Sequence, residues 1–195
     1  MKTLVIVAHP QLQQSRVNKR WAVELLKQPE HVMVHELYAS YADKAIDVPY
    51  EQTLLADHER VVLQFPFQWY GTPSLLKQWL DEVFTTAWLF GSGGKAVAGK
   101  ELLLAISIGG AHETYQAGGL IGYTISELTR PLQAFANQVG MTMLPHFTFY
   151  GAVQATEEQI EISARQYIQH IVNPELDPRI ARRRMLAEMK QKMNG

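Results

Sequence analysis

The stretch "RVVLQFPFQWYGTPSLLKQWL", residues 60–80, changes from one kind of local structure to another within a few residues. Residues 60–67 form a largely apolar run, which predicts a strand buried in a sheet. Gly71 and Pro73 then interrupt the chain, and residues 73–90 have the spacing of a helix with Pro73 in its first turn. The aromatic-rich residues 67–70 in between either pack in the core or line a site for a flat, partly apolar ligand.

The rest of the chain repeats this alternation of strand and helix. Strands are predicted at 3–9, 31–38, 60–67, 101–110 and 141–152. Helices are predicted at 15–28, 73–90, 124–140 and 156–172, with a short one near 50–56. Ser15 and Thr156 are natural N-caps. The alternation predicts an α/β protein with an open, mostly parallel sheet.

Composition narrows the classes of function. The chain has 195 residues, a formal net charge of −1 and no cysteine. The near-zero charge argues against a nucleic-acid partner, and the absence of cysteine excludes disulfides and thiolate chemistry and fits a reducing cytoplasm. The first apolar run ends at His9 and Pro10, which is too short for a signal peptide. The histidines at 31, 35, 58, 146 and 170 lack metal-ligand spacing, so no metal site is predicted.

The sequence divides into two parts. Residues 1–172 hold all the predicted strands and form one predicted domain, whereas residues 173–195 begin with two prolines and continue as a basic, helix-like tail. The glycine-rich segment 91–100 has the spacing of a phosphate loop, but Glu101 stands where the Mg²⁺-binding hydroxyl is required. Because that segment also leads into a strand, it is predicted to be a simple connection.

Three loops follow predicted strands 1, 3 and 4, at the sheet edge where α/β proteins bind ligands. The first, "AHPQLQQSRVNK" (8–19), offers His9, Ser15, Asn18 and the amides of a helix start, which suit a phosphate; the alternative is an ordinary capped helix. The second holds the aromatic residues 67–70. The third, "SIGGAHETY" (107–115), brings backbone amides at two glycines, or is merely a tight turn. Together they meet the needs of a flavin mononucleotide.

These segments resemble the flavodoxin-like NAD(P)H:quinone oxidoreductases, the relatives of DT-diaphorase. "AHP" with "SRVNK", "FPFQWYGTPSLLKQWLDEVF" and "GKELLLAISIGG" match that family's flavin loops. The similarity covers about residues 2–172 and is stronger to small bacterial members, among them general stress protein 14 and the ancillary proteins of glutathione-gated potassium efflux systems. It implies a three-layer flavodoxin-like fold, with a five-stranded parallel sheet in the order 2-1-3-4-5 and helices on both faces.

The resemblance also implies a set of flavin-binding positions and one catalytic position. Tyr115 falls where DT-diaphorase has a tyrosine that assists charge transfer, but Ile121 replaces its histidine partner, and His112 is nearby without being aligned. The flavin-binding positions implied are His9, Ser15, Arg16, Val17, Asn18, Phe67, Gln68, Trp69, Tyr70, Ser107, Ile108, Gly109 and Gly110.

The implied reaction is ping-pong transfer of a hydride from NAD(P)H through the flavin to a quinone. The short chain favours FMN over FAD as the cofactor. A homodimer with its active site at the subunit interface is implied, in the cytoplasm. The alternative function is a flavin-binding regulatory subunit of a potassium efflux antiporter, which would place the protein at the inner face of the membrane through that partner.

Overall fold

The computed structural model describes residues 1–91 and 96–193, so part of the glycine-rich connection predicted at 91–100 (residues 92–95) and the last two residues of the predicted tail lie outside the described residues. The strands are β1 (Thr3–Val7), β2 (Val32–Glu36), β3 (Arg60–Pro66), β4 (Glu101–Ser107), β5 (Thr142–Met143) and β6 (Phe147–Phe149). The helices are α1 (Val17–Leu25), α2 (Leu37–Tyr41), α3 (Val48–Ala56), α4 (Ser74–Val83), α5 (Thr86–Phe90), α6 (Ile125–Leu128), α7 (Arg130–Gln138), α8 (Glu157–Val172) and α9 (Pro178–Met193).

The predicted sheet order is confirmed. The strands pair in parallel in the order β2-β1-β3-β4-β5, and β6 also pairs with β4. The strand predicted at 141–152 is therefore two short segments on the same neighbour rather than one continuous strand. Pro145 lies between them and has no N–H to donate to a ladder, which explains the interruption.

Two of the predicted helices are broken. The helix predicted at 73–90 stops at Phe84, and Thr85 starts α5 by accepting a hydrogen bond from the Trp88 amide. The helix predicted at 124–140 divides at Thr129, just before Pro131. The prediction at 156–172 is confirmed, because Thr156 and Gln159 form a capping box at the start of α8.

The sheet separates two apolar layers, as the alternation of β1 shows. Leu4 and Ile6 belong to the layer that includes α2, α3, α4, α6 and α7, whereas Val5 and Val7 belong to the layer that includes α1 and α8. Helix α9 adds nothing to either layer, since none of its side chains is buried. No helix in the described ranges is both long enough and apolar enough to cross a bilayer.

Candidate functional site

The carboxyl ends of β1, β3 and β4 meet at one edge of the sheet. Gln64 is in register with Val7 on one side and with Ala105 on the other, and Pro66 with Ser107. The Phe67 amide donates to the Ser107 carbonyl (2.9 Å), so the loops after β3 and β4 start side by side. The three loops predicted to form one site are therefore neighbours in the structure.

The first loop ends in the start of α1. Ser15 Oγ accepts from the Asn18 amide (3.1 Å), as an N-cap does. The Arg16 guanidinium is held by the Ala155 carbonyl and by Glu157 at the start of α8, and Val17 is buried in the core. In the described part of the chain the amides of Arg16 and Val17 have no acceptor. At these two positions the free groups are therefore the backbone amides and not the side chains.

A buried chain of polar side chains links the first loop, the third loop and strand β3. Asn18 Nδ2 donates to Ser107 Oγ (2.7 Å), and Gln64 Nε2 donates to the Asn18 carbonyl (3.0 Å). Gln64 is fully buried, and its Oε1 atom has no partner among the described residues. The side chains of Asn18 and Ser107 therefore hold the first and third loops together. Gln64 ties the first loop to strand β3.

The second loop is a two-residue turn with both central residues in the left-handed region. Trp69 has φ 44° and Tyr70 has φ 65°, and Gln68 and Gly71 on either side exchange backbone hydrogen bonds. Glycine and asparagine normally occupy such positions. Trp69 is 94% exposed, which excludes the interpretation of this side chain as core. Strained backbone of this kind is concentrated at functional sites.

The third loop is packed tightly around two glycines. A Cβ on Gly109 would meet Val153 at 3.3 Å, and one on Gly110 would meet the Tyr115 ring at 3.1 Å. Ile108 is buried, its amide donates to the Phe149 carbonyl (2.8 Å) and its carbonyl accepts from the Ala152 amide (2.9 Å), so this predicted position anchors the loop and has no free group for a ligand. The amides of Gly109 and Gly110 have no acceptor within the described ranges, as is true of those of Trp69 and Tyr70.

An aromatic cluster spans the ends of β3, β4 and β6, and it consists of Phe67, Tyr70, Tyr115, Tyr150 and His112. The Phe67 ring lies 6.5 Å from Tyr70 and 6.2 Å from Tyr115, and Tyr150 lies 6.1 Å from Tyr115 and 4.9 Å from His112. Burial, with a smaller effect of Tyr70, raises the pKa of Tyr115, and burial raises the pKa of Tyr150. Both phenols are therefore hydrogen-bond donors at neutral pH.

Two cavities adjoin the loops. One of about 330 Å³ lies beside His9, between the first loop and α2. Burial lowers the pKa of His9, whose Nδ1 accepts from the Gln11 amide, so the ring is neutral near pH 7. The other cavity, of about 390 Å³, is mainly apolar and runs from Phe67 and Tyr70 between α4 and α7.

The arrangement fits a mononucleotide with a planar, partly apolar ring. Each of the three loops leaves a pair of neighbouring amides without an acceptor, and such pairs bind phosphate oxygens or the polar edge of a ring. The exposed Trp69 and the cluster beside it offer a surface for the ring. The fold and the position of this candidate site are those of the doubly wound α/β class, whose members bind ligands at the carboxyl ends of the strands.

Comparison with known proteins agrees with this class. A family model described as "Flavodoxin-like fold" matches residues 1–171. The chain belongs to this flavodoxin-like family, and the resemblance predicted from its sequence is confirmed.

Individual relatives are similar over most of their length. The Bacillus subtilis (strain 168) NAD(P)H oxidoreductase YdeQ is 49% identical over 189 residues, 97% of this chain and 95% of the relative. The structure of general stress protein 14 from Treponema denticola in complex with FMN has a TM-score of 0.82 and 42% identity, over 87% of this chain and 97% of that one. An NADPH-quinone reductase structure from P. pentosaceus has a TM-score of 0.76 and 37% identity, over 86% and 97%.

Three residues of this region were not among the predicted site positions. Gln64 lies within a predicted strand, and Tyr150 and His112 are outside the predicted flavin-binding and catalytic positions. Tyr150 follows the fifth predicted strand, whose carboxyl end must lie at the same edge of a parallel sheet, so the strand pattern could have revealed it. The place of His112 in the cluster could be recognised only from the structure, because it depends on the contact of the His112 ring with Tyr150.

Proposed function

We propose that this protein is an FMN-dependent NAD(P)H:quinone oxidoreductase that works by a ping-pong mechanism. The observation that carries the proposal is the set of three amide pairs, at Arg16 and Val17, Trp69 and Tyr70, and Gly109 and Gly110, arranged around an exposed aromatic turn. The names of the relatives support the chemistry, since they include an NAD(P)H oxidoreductase and an NADPH-quinone reductase. None of the three relatives described is named as a transporter subunit, so the enzyme is preferred to the regulatory alternative.

Each loop has one task in this proposal. The start of α1, with Ser15 as its cap, holds the phosphate, because the helix dipole and the free amides both favour an anion there. The turn at Trp69 and Tyr70 holds the ring. The Gly109 and Gly110 amides donate to the polar edge of the ring and stabilise negative charge on it. When bound, FMN supplies the two-electron chemistry that no side chain here provides.

The choice of FMN over FAD rests on the general stress protein 14 structure, whose complex contains FMN. The choice of a quinone as acceptor rests on the apolar cavity that opens beside Phe67 and Tyr70. Tyr115, buried at the back of this region, keeps its proton and donates a hydrogen bond to the bound ring or acceptor. A second copy of the chain is the proposed partner, as the resemblance implies.

The test is to follow the two halves of the reaction separately. The protein is loaded with FMN under anaerobic conditions, and its flavin absorbance is recorded after one equivalent of NADPH or NADH and again after 1,4-benzoquinone. Bleaching and full recovery, with parallel double-reciprocal plots in steady state, are expected. If the protein binds FMN but neither NADPH nor NADH bleaches the flavin absorbance, the proposed reductase activity is contradicted and only flavin binding remains.

A further inference from the structure

Helix α9 is exposed on every side along most of its length. Every residue from 181 to 193 is exposed, and no side chain of the helix is buried. Most of the stability of a helix in a protein comes from packing one face, and a 16-residue helix without such packing is marginally stable in water. A surface that covers one face of α9 would therefore stabilise it.

The large exposed apolar side chains of α9 lie on one face. Four of them recur at helical spacing and form what we call the apolar stripe: Met185, Leu186, Met189 and Met193. They are between 44% and 82% exposed. Ile180, which is half-buried at the start of α9, precedes Met189 by nine residues, or about two and a half turns. The apolar stripe therefore lies on the side of the helix opposite Ile180 and faces away from the rest of the chain.

Basic side chains border the apolar stripe. Of the 18 basic and 19 acidic residues of the chain, α9 has six and one, which leaves 12 and 18 for the remainder. Arg179 and Arg184 pair with Asp177 and Glu175. The other four basic residues have no acidic partner among the described residues, and each lies three or four positions from a member of the stripe and so beside it on the helix surface: Arg182, Arg183, Lys190 and Lys192.

These features suit the surface of an anionic bilayer. Clustered lysine and arginine side chains are attracted to the headgroups, while apolar side chains on the same face enter the boundary with the acyl chains. A nucleic acid would neutralise the charges but leave the apolar stripe in water, because its outer surface consists of phosphates. An acidic protein or a second copy of the chain would have to match both the charges and the stripe, whereas a bilayer requires no fixed arrangement of partner groups.

We propose that α9 binds an anionic phospholipid bilayer and lies along its surface with the apolar stripe facing the lipid. The helix begins at the amino edge of the sheet: Arg179 donates to Thr142 Oγ1 (2.7 Å), and Thr142 is in register with Glu101, the first residue of β4. The three loops lie at the carboxyl edge, at the other end of β4. Docking through α9 therefore leaves the candidate site open, and this inference does not depend on the proposed function.

The experiment measures how much of the protein sediments with lipid vesicles. Full-length protein, with and without added FMN, is mixed with vesicles of phosphatidylcholine alone or of phosphatidylcholine with phosphatidylglycerol as the anionic lipid, at low and at high salt. The α9 variants are R182Q/R183Q and M189S. Their matched controls change exposed residues of the same kinds elsewhere in the chain and are K44Q/R165Q and L26S.

The expected result is binding that depends on both lipid charge and α9. Wild-type protein should sediment with the anionic vesicles at low salt, but not with phosphatidylcholine alone or at high salt, because salt screens the attraction. The affinity for anionic vesicles should fall about 25-fold in R182Q/R183Q, since each basic group near such a surface contributes about fivefold. It should fall about fivefold in M189S, which removes an apolar group from the boundary, and the two controls should bind as wild type does.

A second measurement reports which face of α9 meets the lipid. In anionic bilayer nanodiscs, a spin-labelled lipid should broaden the methyl signals of Met185, Met189 and Met193, while the signal of Met141, which is buried in the core, stays as it is in unlabelled discs. Unbroadened signals at the three methionines of α9 would overturn the orientation proposed for the stripe.

Three other outcomes would overturn the inference. The first is wild-type protein that stays in solution with anionic vesicles, and the second is an equal loss of binding in the α9 variants and their controls. The third is a wild-type protein that ignores vesicles but whose mass by light scattering falls in R182Q/R183Q, which would make a second copy of the chain the partner of α9. Each outcome leaves the proposed function untouched, because none of the readouts is flavin reduction.

Discussion

At the residue scale, the turn at Trp69 and Tyr70 is the most informative feature. Two consecutive residues that are neither glycine nor asparagine have positive φ, at a cost of about 1–3 kcal/mol each. The Trp69 side chain recovers almost none of this by packing, because it is 94% exposed. The conformation is therefore best explained by a ligand that covers the turn. Substitutions at Trp69 and Tyr70 can then distinguish effects on folding from effects on ligand binding.

The first prediction concerns Trp69→Ala. Because the side chain contacts little of the protein, the free energy of unfolding of the cofactor-free protein should change by less than about 0.5 kcal/mol. Loss of its contact with the flavin ring should raise the Kd for FMN about tenfold, a typical value for one aromatic contact. Urea unfolding and fluorescence titration measure the two quantities. An unfolded variant, or one that binds FMN as wild type does, would contradict this account of the turn.

The second prediction exchanges the turn residues for those the backbone prefers. In the double variant W69N/Y70G both positive φ values become easy to adopt, so the cofactor-free protein should gain about 1 kcal/mol of stability. FMN affinity should still fall, because both aromatic rings are gone. Thermal unfolding of the cofactor-free forms gives the first effect, and a variant less stable than wild type would show that the aromatic side chains stabilise the fold.

At the element scale, Glu51 on α3 connects three neighbouring elements. Its fully buried carboxylate accepts from Tyr41 Oη on α2 (2.7 Å) and Trp79 Nε1 on α4 (2.8 Å), and lies 2.8 Å from His35 Nε2 on β2. Burial opposes ionisation of Glu51, but the hydrogen bonds from His35, Tyr41 and Trp79 outweigh it and lower its pKa. The carboxylate therefore stabilises the packing of α2 and α4 on the sheet.

The third prediction follows from the lowered pKa of Glu51. A lowered pKa in the folded state adds stability that is present above the unfolded value of about 4.3 and is lost as the pH falls through the folded value. Glu51→Gln should therefore cost about 2 kcal/mol at pH 7, and the difference from wild type should shrink below about pH 4. Urea denaturation at both pH values tests this, and a cost that does not change with pH would contradict it.

The elements also show what the sequence could and could not reveal. The parallel sheet and the three loops were predicted from the apolar strands and from the residues at their ends, such as Gly109 and Gly110, whereas the strand order was predicted from the resemblance to the flavodoxin-like family. The break between α4 and α5 was missed because Thr85 fits the helical pattern, and its capping role depends on the backbone turning at Phe84. The role of Gln64 was also not predicted, because a single glutamine in a strand sequence does not indicate which loop its side chain will contact.

At the scale of the whole molecule, the C-terminal tail differs from the rest of the chain in its charge and in the contacts that it makes. Six of the 18 basic residues lie in α9 but only one of the 19 acidic ones. Its hydrogen bonds to the rest of the chain come from its first half, from Arg179 to Asp177 and Thr142 and from Arg184 to Glu175. None of these reaches the three loops.

The fourth prediction is that a chain ending at Asn173 keeps its fold and its FMN affinity. Arg60 donates to the carbonyls of Ile171 and Asn173, so truncation there retains the bonds that fix the end of α8. The midpoint of thermal unfolding should fall by no more than about 4 °C, because the main contacts removed are the packing of the partly buried Leu176 and the ion pairs of Asp177 and Glu175. A loss of FMN affinity of tenfold or more would show that the tail belongs to the binding site.

The central claim is that FMN binds across the three amide pairs at the carboxyl edge of the sheet. The most direct measurement is a titration of ¹⁵N-labelled protein with FMN, followed by amide chemical shifts. The largest changes are expected at Arg16, Val17, Trp69, Tyr70, Gly109 and Gly110, with saturation at one FMN per chain. Failure to bind FMN, or changes concentrated at the amino edge of the sheet around Glu59 and Lys100, would contradict the account.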